Sequence, residues 1–141
     1  MSFLRRFLAD CRGATAIEVA FALPALVLMM WLIMQLALVY RAVAGIQQAL
    51  GEGARYATLC INPTTSGCTA PTGTQIKTRI ENSVYGIGPG HFDVPPPTLV
   101  TAGTSKYYDL TVTYTQETDM LVAPGPDISV TKSKRVWVAG T

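Results

Sequence analysis

Histidine is nearly missing from this 141-residue chain, which has one, and charge is sparse: 11 Lys and Arg against 9 Asp and Glu, for a formal net charge of +2. A single His91, with no Ser/His/Asp grouping, leaves no catalytic constellation, so neither an enzyme nor a small-molecule substrate is expected. Zinc takes three or four ligands, and three cysteines with one distant histidine do not supply a patterned set, so no metal or other cofactor is expected either. No cluster of Lys and Arg follows residue 12, which excludes a nucleic-acid partner, because phosphate binding needs basic side chains gathered on one face. Gly86, Gly88 and Gly90 superficially suggest a phosphate cradle, but Pro89 has no amide donor and no strand is predicted before it, so a plain loop is expected, with His91 at the surface.

What the chain does contain is one long apolar run. From Val19 to Val39 it reads VAFALPALVLMMWLIMQLALV, without a charge and with one amide, Gln35. At about 1.5 Å per residue these 21 residues span roughly 30 Å, the thickness of a bilayer core. A helix apolar on every face inside a soluble protein would need a surrounding core that this chain cannot supply. A secretory signal has a shorter apolar region, about 7 to 15 residues. A membrane helix over about 18–40 is therefore expected, in contact with membrane lipid. Arg5, Arg6 and Arg12, offset by Asp10, precede it, and the Lys/Arg-rich flank of a membrane helix is the cytoplasmic one, so the chain beyond Arg41 is expected to be exported. Pro24 removes one helical hydrogen bond and predicts a kink.

Glu18 stands at the edge of this run, where an ionised carboxylate loses solvation. By itself it fits either interfacial snorkelling or a functional role. The residues before it, Arg12-Gly13-Ala14-Thr15-Ala16-Ile17, resemble a prepilin leader: a basic stretch, a glycine, a small residue, then a glutamate five positions after the glycine. The resemblance implies that a membrane aspartyl peptidase cuts between Gly13 and Ala14, making 1–13 a leader and Glu18 the fifth mature residue. The new ammonium on Ala14 would lie one helical turn from the Glu18 carboxylate. Pairing with the ammonium of a neighbouring subunit instead would set axial register in a low-dielectric assembly. Cys11 would leave with the leader, so Cys60 and Cys68 become the mature pair.

After Tyr40 the pattern turns amphipathic, with Val43, Ile46, Leu50, Ala54 and Ala57 at helical spacing opposite Arg41, Gln47, Gln48, Glu52 and Arg55. The helix is predicted to continue to about residue 59. Gly45, Gly51 and Gly53 each cost about 1 kcal/mol of helicity relative to Ala. Two explanations stand open: close approach of another backbone, or a flexible joint at the membrane surface.

The segment Glu18-Val19-Ala20-Phe21-Ala22-Leu23-Pro24-Ala25-Leu26, with Gln48-Ala49-Leu50 and Glu52-Gly53-Ala54-Arg55-Tyr56-Ala57, resembles the TadE-like minor pilins (pseudopilins) of tight-adherence (Flp, type IVc) pili, over roughly residues 12 to 60. A major pilin of the same machine has Tyr after the glutamate and ends soon after its helix. Here Val19 follows Glu18, and about eighty residues follow the helix. The resemblance therefore implies a non-enzymatic minor pilin in the bacterial inner membrane, acting in priming, biogenesis or tip formation. Its implied partners are a prepilin peptidase, other minor pilins, the major pilin and the inner-membrane assembly platform. Rival readings are a permanently anchored periplasmic binding or adhesion module and a type II secretion pseudopilin.

The exported part, 60–141, is expected to form an α+β head. Cys60 and Cys68 bracket INPTTSG, whose Asn62-Pro63 and Ser66-Gly67 favour turns, and export makes a disulfide the expected pairing. Ile76, Ile80 and Val84 share one face of a short helix with Thr74 as its cap. Strands are predicted from Pro97 to Thr101, Tyr107 to Thr115, Met120 to Ala123 and Ile128 to Val138, with a turn over 123–127. In the second, Tyr108, Leu110, Val112 and Tyr114 alternate with polar residues, the pattern of a half-buried strand. Trp137 is expected to be buried, a contact surface being the alternative.

Overall fold

The computed structural model describes residues 12–59, 62–64, 67–84, 86, 88–119 and 124–138. Helix α1 runs over Arg12–Ala57, 46 residues or about 69 Å, as one helix across Pro24. Its two halves have different surroundings. From residue 16 to residue 34 every side chain is exposed, including Phe21 at 77% and Met34 at 62%. From Val39 onward one face is buried: Ala42, Ile46, Ala49, Leu50, Ala54 and Ala57 are all covered, at the helical spacing the sequence carries, while Val43 is half-buried. The amphipathic half is covered by the head, while the side chains over 16–34 stay exposed among the described residues.

The head is α+β. Strands β1 (Asn62–Thr64) and β2 (Gly67–Thr69) form a small antiparallel hairpin in which Cys68 stands opposite Pro63. Cys60 lies outside the described residues, and so does its pairing. Helix α2 (Gly73–Val84) packs Ile76, Ile80 and Val84 inward, the face expected from their spacing. Its cap is Thr72, two residues before the one expected. Thr72 Oγ1 accepts from the Gln75 amide at 3.4 Å and Gln75 Oε1 accepts from the Thr72 amide at 3.0 Å. This reciprocal pair satisfies two amides where Thr74 would have satisfied one. Thr72→Ala should cost about 1 kcal/mol, read as a lower urea midpoint at unchanged slope for the detergent-solubilised chain.

The main sheet is antiparallel, with β5 (Ser105–Gln116) at its centre. β6 (Ile128–Val138) pairs along the whole of one edge. The other edge is shared by β4 (Leu99–Ala102), opposite 105–108, and β3 (His91–Asp93), opposite 113–115. β3 replaces part of the expected loop: the Gly- and Pro-rich stretch yields three residues to an edge position that β4 leaves empty. His91 is exposed on it, as expected. The strand expected at Met120 to Ala123 lies outside the described residues.

Tyr108, Leu110, Val112 and Tyr114 are buried on one face of β5, so its alternation reads correctly. That face meets α1 and α2 in a single core. Within it the Tyr108 hydroxyl donates to the Pro71 carbonyl at 3.0 Å, and burial pushes this phenol above its usual pKa. Trp137 is not in the core. It is 55% exposed on the outer face, its ring 5.0 Å from that of Tyr107, because Val136 and Val138 on either side point inward.

Candidate functional site

Gly13 and Ala14 fall in the first turn of α1, and Glu18 follows one turn later, on the exposed stretch. Among the described residues no cation pairs with Glu18. Gly13, Ala14 and the Glu18 carboxylate thus share one end of the helix.

The opposite end of the exposed stretch is where the head first touches the helix. Trp31 Nε1 donates to the Asp119 carbonyl at 2.7 Å, and Gln35 Nε2 donates to the same oxygen. Trp31 and Gln35 are one turn apart and share a helix face, so one carbonyl from a loop 84 and 88 residues away meets both donors. Beside this contact lies an apolar groove of about 270 Å³, between Leu32, Gln35 and Leu36 of α1 and Thr118, Pro126 and Ile128 of the head. Sequence reasoning noted Gln35 only as the lone amide of the run and missed its use. The available signal was its spacing from Trp31, the only other polar-tipped side chain between Val19 and Val39.

Elsewhere the head carries exposed polar surface. Glu52 links the two helices, 3.9 Å from Arg55 and 3.6 Å from Arg79. On the outer face of the sheet Arg135 donates twice to Asp109, at 2.8 and 3.0 Å, and lies 4.2 Å over the Tyr107 ring. The Arg135 hydrogen bond holds the Asp109 carboxyl below its ordinary pKa. A shallow cleft of about 330 Å³ runs between Tyr56 and the polar side of α2. No group of three or more His, Cys, Asp or Glu side chains among the described residues could hold a metal ion.

A helix long and apolar enough to cross a membrane once, followed at its far end by a small α+β head, is the arrangement on which the comparison with known families bears. Residues 13–55 match the family of TadE-like proteins. The TadE-like segment begins at Gly13, runs through the exposed stretch and ends two residues before the end of α1, so it covers the helix and leaves out the head. It agrees with the resemblance carried by residues 12 to 60. No curated protein and no solved structure matches the chain.

Proposed function

We propose that this chain is a non-enzymatic minor pilin that acts in the priming, biogenesis or tip of a tight-adherence pilus, matured by a prepilin peptidase that cuts between Gly13 and Ala14. One observation carries the reading: the TadE-like match begins at Gly13 and covers a helix whose first half is exposed on every side while its second half supports the head. Such a helix fits lipid before assembly and the helices of other subunits afterwards. In this reading Arg5, Arg6 and Arg12 keep the N-terminus on the cytoplasmic side of the inner membrane, and the head is exported. Glu18 compensates the ammonium of a neighbouring subunit, Pro24 lets the helix bend within the membrane, and Cys60 and Cys68 close the first loop of the head as a disulfide. The partners are the peptidase, other minor pilins, the major pilin and the assembly platform.

Intact-mass measurement of the membrane-extracted protein tests the first step. In cells containing the peptidase the chain should begin at Ala14, and without the peptidase at Met1. A start at Met1 in both would favour a permanently anchored binding module instead. Glu18→Ala should be cleaved normally yet fail to co-purify with its pilin partners. Unchanged co-purification would remove the register role.

A further inference from the structure

The head begins before the apolar sequence ends. A hydrocarbon layer covering residues 18–40 would submerge the contact at Trp31 and Gln35, together with the exposed carboxylates of Glu117, Asp119 and Asp127 in the adjoining segments. Ionised side chains are not left facing lipid tails. We propose that the hydrocarbon boundary on the head side lies at Trp31–Gln35, and that residues 117–119 and 124–128 form a foot resting on the membrane, its groove taking part of a phospholipid acyl chain. The proposal rests on the membrane-anchored reading given above.

The chemistry of the foot suits that place. Backbone groups close to hydrocarbon need partners within the protein. The Asp119 carbonyl has two, Trp31 and Gln35. The Thr118 carbonyl accepts from the Gly125 amide at 2.8 Å, and the Pro126 carbonyl accepts from Thr118 Oγ1 at 2.6 Å. Pro124 and Pro126 have no N–H to satisfy. Tryptophan is enriched at membrane interfaces, where an apolar ring and a polar N–H meet different surroundings. A lipid chain is the fitting occupant because the groove floor, Leu32 and Leu36, continues the stretch over 16–34 that already faces outward on every side.

Moving the boundary moves the frame of the whole helix. Ala14 to Met34 is 21 residues, about 31 Å, and fills the hydrocarbon layer. Trp31 then lies about 10 Å from the midplane, whereas a span of 18–40 would put it about 3 Å away. Glu18 sinks about one turn inside the cytoplasmic edge, where an unpaired carboxylate is less tolerable.

Trp31 reports this depth directly, since the chain has only two tryptophans. The full-length chain with Trp137→Phe is reconstituted into phosphatidylcholine vesicles brominated either near the carbonyl end or near the methyl end of the acyl chains. Shallow bromines should quench Trp31 at least twofold more than deep ones. Stronger quenching by deep bromines would overturn the boundary. Absence of quenching in chains that float with the vesicles would overturn lipid contact and point to a second copy or another subunit in the groove. A chain that does not float at all would fail the anchored reading itself. The groove is tested by adding Ile128→Trp to the Trp137→Phe chain, with Trp31 and its bond to Asp119 kept, where the added indole on the groove wall should be quenched by shallow bromines along with Trp31. An added indole left unquenched in floating chains refutes the foot.

Discussion

Tyr114→Ala is expected to lower the stability of the head by about 3–5 kcal/mol, the range for deleting a large buried ring. Tyr114 is fully buried at the end of β5 where β3 joins it, and its ring is 4.7 Å from that of Phe92. Its hydroxyl also serves as a junction. It donates to Gln116 Oε1 at 2.7 Å and accepts from the Gly90 amide at 3.1 Å. Gln116 is the buried polar side chain of this core, at 4% exposure, so it cannot turn to water for a replacement donor. Tyr114→Phe keeps the ring and removes the junction, and should cost about 1–3 kcal/mol. Urea unfolding of the full chain in detergent, followed by near-ultraviolet circular dichroism, measures both. A loss below 1 kcal/mol for the alanine variant would mean that this corner of the head does not depend on the ring.

The second large effect is a contrast within one turn of α1. A Cβ at Gly53 would lie 2.5 Å from Ile80 Cγ1 and 2.8 Å from its Cδ1, with Leu110 at 3.5 Å, whereas a Cβ at Gly51 would meet nothing within 4 Å. Gly53→Val forces extra volume between α1 and α2 and should destabilise by about 1–3 kcal/mol. Gly51→Ala gains helicity without a clash and should stabilise by about 1 kcal/mol. Opposite signs two residues apart, in the same unfolding assay, are the expected result. Equal effects would show that helix propensity alone governs this end of α1. The contact at Gly53 also answers the question its sequence left open: a side chain from α2, not another backbone, comes close there, and Gly51 makes no close approach.

Cost and place of each glycine differ because propensity is local and packing is not. The same division runs through the candidate site. Gly13, Ala14 and Glu18 are expected as site residues from the resemblance of the stretch before the apolar run to a prepilin leader, a pattern local to the chain. The Trp31–Gln35 contact could not be named in that way, because its acceptor is a backbone carbonyl, and a carbonyl carries no mark in a sequence. The membrane span is expected to end at residue 40, where the apolar residues stop, while the head first touches the helix at Trp31. Trp137 departs from its expected burial for a different reason. Its size suggests burial, but on a strand the neighbours decide, and Val136 with Val138 claim the inner face.

By itself the sequence determined the elements whose signal is periodic. These are the apolar helix and its amphipathic extension, the inward face of α2 and the buried row of β5, each a repeat within a few residues that burial on one side imposes. Only the tertiary structure decided where the head sits on the helix, which edge of β5 takes β3, which glycine meets a neighbour, and which face of β6 Trp137 occupies. Each of these depends on pairs of groups tens of residues apart. Hydrogen bonds and close packing between such groups exist only once the chain has brought them together.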